Sequence, residues 1–246
     1  MLFSVIIPMY NEKAIAVDCA SELTKTLEAA AEALSFEYEI IFSDDGSRDG
    51  CGDLVREWTD KAELKHGEVI VYTAEKNSGK GMAVRLGMMQ SRGDYTLFTD
   101  CDRAYGCDII VEMLKHIIEK KSDIVIGSRA IGEDGYTGYT FMRKLASKTY
   151  MKALSLVAGF KHSDSQCGIK MFKGDVARRV FPLCEVCGWA FDLEVLMIAE
   201  KMECTVSEFP VKVINHGESK VRLVQDSIKM LKDIQKIKKR VKSMKL

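Results

Sequence analysis

Short, nearly continuous apolar runs alternate along this chain with longer stretches in which apolar residues recur every three or four positions. Phe3-Ser4-Val5-Ile6-Ile7, Tyr38-Glu39-Ile40-Ile41-Phe42, Val69-Ile70-Val71-Tyr72, Tyr95-Thr96-Leu97-Phe98 and Asp123-Ile124-Val125-Ile126-Gly127 have the length and β-branched or aromatic content of strands in a covered sheet. Pro8 is expected to stop the first of them. Val17, Ala20, Leu23, Leu27, Ala30, Ala31 and Leu34 keep helical spacing, as do Met82, Leu86 and Met89 and the stretch from Asp108 to Lys120. Strand and helix alternating through short links predict a mostly parallel central sheet flanked by helices.

The second half is less regular. Ala130 to Thr140 is rich in glycine and tyrosine and reads as a mobile loop. Phe141 to Phe160 reads as a helix carrying Arg143, Lys144, Lys148 and Lys152. A short strand, Ile169-Lys170-Met171-Phe172, follows; Trp189 to Glu194 leads into a helix ending near Met202; and Val206 to Ile214 reads as a late strand broken by Pro210. From Val221 on, Val224, Ile228, Leu231, Ile234, Ile237, Val241 and Met244 mark a long amphipathic helix. The division predicted is an α/β domain over 1–221 and a basic amphipathic helix over 222–246.

Charge changes the picture at that end. Lys+Arg and Asp+Glu balance at 36 each, yet Lys229, Lys232, Lys236, Lys238, Lys239, Arg240, Lys242 and Lys245 face only Asp233. The tail is strongly basic, and the body correspondingly acidic. A cationic amphipathic helix can lie on an anionic membrane surface, dock on a membrane subunit, or pack its apolar stripe on the domain. Its basic residues are not interleaved with aromatics, which argues against nucleic acid. No apolar stretch reaches the roughly 18 residues of a membrane span, and Met1 to Pro8 lacks the pattern of a secretory signal. These features predict a cytoplasmic protein, peripheral on the cytoplasmic membrane face. Eight dispersed cysteines are expected to be reduced thiols, and Cys184-x-x-Cys187 lacks the second pair of a zinc site.

The polar clusters follow strands: Tyr10-Asn11-Glu12, Asp44-Asp45, Asn77 to Gly81, Asp100 to Asp102, Ser128-Arg129. In an open parallel sheet such clusters converge outside the carboxyl ends of the strands. Asp100 and Asp102, two apart, fall on one side of an extended segment and are hard oxygen donors suited to Mg²⁺ or Mn²⁺. Asp44 and Asp45 are placed to accept hydrogen bonds from a ribose or a base, or to build an Asx turn. Asn77-Ser78-Gly79-Lys80-Gly81 would let the backbone pass close to a ligand and puts Lys80 at a helix N-terminus. Neither Gly-x-x-x-x-Gly-Lys-Ser/Thr nor Gly-x-Gly-x-x-Gly occurs, which weakens kinase, P-loop ATPase and dinucleotide dehydrogenase readings. A nucleotide diphosphate held through a metal on paired aspartates survives.

Pro8-Met9-Tyr10-Asn11-Glu12, Asp44 to Gly50, Asn77 to Gly81 and Asp100-Cys101-Asp102 together resemble the inverting family 2 glycosyltransferases of GT-A fold. Asp164 to Phe172, Trp189 to Glu194 and Gly217-Glu218-Ser219-Lys220 narrow the resemblance to the polyprenyl (dolichyl) phosphate hexosyltransferases, the glucosyl branch nearest and the mannosyl branch next. The likeness covers roughly Phe3 to Val221. It implies that Pro8, Tyr10, Glu12 and Asp45 line the nucleotide pocket, that Asp100 and Asp102 hold the metal, and that Lys80 lies beside the donor. It further implies that Ser219-Lys220 close over the diphosphate, that Arg129 and Arg143 bind the lipid phosphate, and that Asp164 lies close to the reacting centre. Lys80, Asp102 and Asp164 are the catalytic candidates.

The activity implied is transfer of a hexose, glucose from UDP-glucose, to a polyprenyl phosphate with inversion. GDP-mannose as donor, a polysaccharide or other non-lipid acceptor, and a nucleotide-binding module without turnover are the alternatives. A phosphate acceptor is already anionic near neutrality, its second pKa being about 6, so Asp164 would orient; a hydroxyl acceptor would need it as base. Many relatives carry membrane-spanning helices that this sequence lacks. Trp189 and Phe191 suit either the core or a lipid contact.

Overall fold

The computed structural model describes residues 1–132, 159, 162–215 and 223–245, the side chains of 223–232 excepted. Chain order is β1 (Leu2–Met9), α1 (Ala16–Leu34), β2 (Glu37–Asp44), α2 (Cys51–Thr59), β3 (Gly67–Thr73), α3 (Lys80–Gln90), β4 (Tyr95–Phe98), α4 (Asp108–Lys120) and β5 (Ile124–Ser128). After residues 129–169 come β6 (Lys170–Lys173), α5 (Gly174–Val180), a short 3₁₀ turn over Phe181–Leu183, α6 (Phe191–Lys201), β7 (Val206–Pro210) and α7 (Leu223–Ser243). Among the described residues these strands form one sheet in the order β3-β2-β1-β4-β6-β5-β7. Every pairing is parallel except those of β6, which runs against both β4 and β5.

The sheet divides the core into two layers, because alternate residues of each strand face opposite ways. Val5 and Ile7 of β1, Leu97 of β4 and Met171 of β6 pack with α1, α2 and α4. Ile6, Phe98 and Phe172, their immediate neighbours, pack with α3, α5, α6 and α7. Glu39, in the middle of β2, is fully buried and answered by the Ser4 hydroxyl (2.6 Å), the Arg92 backbone N–H (2.7 Å) and Arg92 Nε (2.8 Å).

Two expectations are corrected. Pro8 does not stop β1: it sits in the strand opposite Ser43 of β2. Its missing N–H costs nothing there, because pairing with β4 on the other side ends at Ile6 opposite Phe98. β7 ends at Pro210, short of the predicted Ile214. The predicted glycine- and tyrosine-rich loop, beyond Gly132, and nearly all of the predicted helix over 141–160 lie outside the described residues.

The described side chains of α7 place Ile234, Ile237 and Val241 in the core layer beside α6. Lys201, at the end of α6, caps the C-terminal end of α7 by donating to the carbonyls of Val241 (2.7 Å), Lys242 (2.9 Å) and Met244 (2.6 Å), a cation where the helix dipole favours one. Here the apolar stripe faces the domain, and Lys236, Lys239 and Lys242 are exposed. Among the described residues no helix is long and apolar enough to cross a membrane.

Candidate functional site

The carboxyl ends of β1 to β5 deliver their loops to one rim. Because β6 is antiparallel, the residues entering it, 164–169, reach the same rim from the opposite direction.

Asp45 is buried and builds this rim from within. Its Oδ2 accepts from Asn77 Nδ2 (2.8 Å) and the Gly79 N–H (2.7 Å), its Oδ1 from the Ser78 N–H (2.8 Å). Asp44 likewise takes the Ser47 N–H at 2.9 Å. Pro8 is buried, Glu12 half-buried, and Tyr10 is 39% exposed beside them.

Lys80 opens α3 and its Nζ lies 2.5 Å from Asp100 Oδ1. Burial works against the ammonium, but Asp100, Asp192 and Asp102 outweigh it and hold its pKa above the ordinary value. Asp102 accepts from the Ala104 N–H at 3.0 Å. Burial, then the charge of Asp100, pushes the Asp102 carboxyl above the usual carboxylate range, with Glu12 adding to the effect. The cluster is thus short of positive charge although Lys80 stands in it.

The glycines around Lys80 serve a different neighbour from the ligand expected of them. A Cβ on Gly79 would lie 2.6 Å from the Cys187 carbonyl oxygen, and one on Gly81 2.5 Å from that of Val186. The Gly81 N–H donates to the Cys187 oxygen at 2.8 Å. The close backbone approach is therefore to the chain's own 186–188 segment. From that segment Trp189, 37% exposed, presents its ring 5.5 Å from Lys80 Nζ. Phe191 is core, packed against Phe98 at 5.7 Å between ring centroids.

Arg129, just past β5, meets Asp164, which is wholly buried: Nε to Oδ2 is 2.6 Å, Nη2 to Oδ1 2.9 Å, and the Arg129 backbone N–H adds a third bond at 3.2 Å. Between this pair and Asp100 lies Gly168. A Cβ there would meet Asp100 Oδ2 at 2.4 Å, and the Gly168 N–H donates to the Tyr105 hydroxyl at 3.1 Å. Burial raises the Tyr105 phenol well above its ordinary pKa against the pull of Arg129, with Cys167 and Asp100 adding to it. Arg143, Ser219 and Lys220 lie outside the described residues. Asn215, shortly before the last two, donates from Nδ2 to the Asp102 carbonyl at 2.6 Å.

Sequence reasoning passed over three charged groups. Lys170 is fully buried in β6 and donates to Asp192 Oδ1 (2.6 Å) and the Cys167 carbonyl (2.7 Å). Glu194, also fully buried, accepts the N–H groups of Glu185 and Val186, both at 2.8 Å, on Oε2, while Arg240 of α7 pairs with Oε1. The signal was present: two acids in the otherwise apolar Phe191-Asp192-Leu193-Glu194-Val195-Leu196, and a lysine in an apolar strand, demand buried partners.

A mostly parallel sheet whose loops bring a carboxylate pair, a lysine and an anchored arginine to one rim defines a nucleotide-sugar transferase of GT-A fold. Residues 4–181 match the model of glycosyl transferase family 2, and the chain belongs to that family of enzymes. It is 35% identical over 241 residues to a dolichyl-phosphate beta-glucosyltransferase of Dictyostelium discoideum, covering 96% of this chain and 73% of that one. It is 33% identical over 240 residues to one of Drosophila melanogaster, covering 94% and 72%. Glucosyl-3-phosphoglycerate synthase from Mycobacterium tuberculosis, solved with Mg²⁺ and uridine-diphosphate, shares the fold: TM-score 0.64, 14% identity, 99% of this chain and 80% of that one.

Proposed function

We propose that this chain transfers glucose from UDP-glucose to the phosphate of a polyprenyl (dolichyl) lipid, with inversion at the anomeric carbon. The observation that carries the reading is the meeting on one rim of Lys80 paired to Asp100 and of Arg129 anchored by Asp164, with Gly168 and Tyr105 between. The names of the relatives support the sugar and the lipid.

On this reading Pro8, Tyr10 and Glu12 border the nucleotide, and Asp45 fixes the 77–79 loop around it. Asp100 and Asp102 would hold Mg²⁺ or Mn²⁺. The donor set fits: two hard carboxylates beside Glu12 carry more negative charge than Lys80 offsets. Among the described residues no third His, Cys, Asp or Glu closes the set, which leaves coordination positions to diphosphate oxygens. When bound, the ion neutralises charge on the diphosphate.

Lys80 stabilises the charge that grows on the leaving diphosphate. Arg129, its guanidinium held flat by Asp164, receives the acceptor phosphate, whose oxygen attacks the anomeric carbon from the far face. That phosphate needs no strong base, and the bonds Asp164 makes to Arg129 suit it to orienting. Arg143 adds a second cation for the lipid phosphate, and Ser219-Lys220 cover the diphosphate. The 1–221 unit carries this chemistry, while the exposed lysines of the 222–246 helix face an anionic membrane surface or a membrane subunit on the cytoplasmic side, each worth about 1 kcal/mol at such a surface.

The test is transfer of label from UDP-[¹⁴C]glucose into organic solvent. Extraction that requires both polyprenyl phosphate and Mn²⁺ is expected. Label that stays aqueous whatever lipid is supplied would exclude the lipid acceptor.

A further inference from the structure

We propose that Arg240, near the C-terminal end of α7, is a positioning residue for Lys80, acting through the 184–189 segment. Arg240 touches none of the groups assigned to substrate. Its Nη2 pairs with the buried Oε1 of Glu194, and its Nη1 donates to the Leu183 carbonyl at 3.0 Å and pairs with Glu185 at 3.2 Å. The other oxygen of Glu194 takes the N–H groups of Glu185 and Val186. One residue on, the Cys187 carbonyl takes the N–H of Gly81, and the bare Cα atoms of Gly79 and Gly81 admit the 186–187 backbone with no room to spare. Two residues further, Trp189 faces the Lys80 ammonium.

Lys80 is therefore bracketed by one segment: its chain neighbours Gly79 and Gly81 lie against Cys187, and its head group stands beside Trp189. That segment is fixed in turn by a carboxylate whose charge is answered by the tail helix. A buried Glu194 without Arg240 would keep its two backbone bonds but lose its counter-charge, and a buried unpaired carboxylate is strongly disfavoured. Displacement of Glu194 would then loosen Glu185 and Val186, and with them the wall against which α3 begins.

The role of Lys80 in transfer rests on the function proposed above; the packing chain does not, and the experiment reads the two separately. The chain has two tryptophans, Trp58 and Trp189, so a Trp58→Phe background makes emission report Trp189 alone. In the full chain, Arg240→Gln is expected to shift Trp189 emission to the red and raise its acrylamide quenching about twofold. It should also lower kcat/KM for UDP-glucose at least tenfold while leaving the KM for polyprenyl phosphate within twofold. Arg240→Lys, which keeps the charge but not the fork, is expected to recover part of both effects. Gln235→Ala, an exposed and uncharged neighbour on the same helix, should change neither. Trp189 emission and donor kinetics unaltered in Arg240→Gln would overturn the proposal, as would losses in donor and acceptor kinetics that only track the folded fraction. If Arg240→Gln does not fold, the same two readings on Arg240→Lys decide. An unsubstituted protein without transferase activity would defeat the function proposed, and the emission of Trp189 would still judge the role of Arg240.

Discussion

Arg129 grips Asp164 edge to edge, with Nε 2.6 Å from Oδ2 and Nη2 2.9 Å from Oδ1, and the carboxylate is closed off from solvent. Such a carboxylate is placed to aim a guanidinium. Asp164→Asn keeps one oxygen for the arginine. It is expected to raise the KM for polyprenyl phosphate several-fold and to lower kcat by less than the 10²- to 10⁴-fold, in round terms about 10³, typical of a lost general base. A loss beyond that range with the acceptor KM unchanged would show that the carboxylate takes the proton itself.

Lys80→Ala removes the ammonium 2.5 Å from Asp100 and leaves Asp100 and Asp102 facing each other without it. The kcat is expected to drop by about 10²- to 10³-fold, the usual effect of deleting one group that stabilises developing charge. The Mn²⁺-dependent rise in Tm should survive or grow, because the cation then answers both carboxylates alone. Disappearance of that rise would mean that Lys80 organises the metal site rather than the leaving group.

Gly168→Ala tests whether Asp100 has to stand where it does. The added methyl would fall 2.4 Å from Asp100 Oδ2, so the carboxylate must turn aside. Binding at a hundred times Kd stabilises a protein by about 2.7 kcal/mol, worth roughly 5 to 10 °C in Tm for a chain of this size. We expect that Mn²⁺ response to vanish in Gly168→Ala while the Tm without metal moves by only a few degrees. Thermal melts with and without EDTA give both numbers.

Lys170 and Asp192 form a buried pair at 2.6 Å, the lysine wholly out of water and the aspartate nearly so. Lys170→Met alone strands Asp192, whose carboxyl burial already raises against the opposing pull of Lys170 and Lys80; a loss of about 3 to 5 kcal/mol is expected. Lys170→Met with Asp192→Leu should regain most of it, since an apolar pair of similar volume often matches a buried ion pair. Urea melts of the two variants decide: a double variant no better than the single would mean that the pair's charge, not its burial, stabilises this layer.

Much of this architecture was legible because it rests on local patterns. The helix from Asp108 to Lys120 was bounded correctly, α3 began at Lys80 where Asn77-Ser78-Gly79 announced it, and the strand-end clusters did gather Lys80, Asp100 and Asp102. What escaped depends on contacts far apart in sequence. That β6 runs antiparallel is set by its pairing, not its composition. The purpose of Gly79 and Gly81 could not be read without knowing that residues 186–188 pass over them. That Asp45 also ties down residues 77–79 could not be read from Asp44-Asp45-Gly46 alone.

Asp123 stands just before β5, at the end of the strand away from the rim, and it sets an acid limit. Burial alone would raise its carboxyl, but the backbone N–H and hydroxyl of Thr205 (both 2.8 Å) and the Lys173 ammonium (2.9 Å) outweigh it and bring it from 3.8 to about 2. A carboxyl depressed in the folded state contributes stability above its unfolded pKa and loses it as pH falls through the folded one. Asp123→Asn is therefore expected to be less stable than the unsubstituted chain at neutral pH, with the gap closing between about pH 4 and pH 2. A gap that stays constant across that window would show that hydrogen bonds, not charge, carry the contribution.

The contrary direction of β6 has a consequence for how this enzyme can diversify. The chain leaves the sheet at Ser128 and returns at Lys170, and the described ends of this connection, Arg129 and residues 164–168, both stand at the rim. Insertions or deletions between those ends would leave the register of β4, β5 and β6 as it is. One scaffold can in this way keep its hold on the sugar nucleotide while exchanging the molecule that receives the sugar.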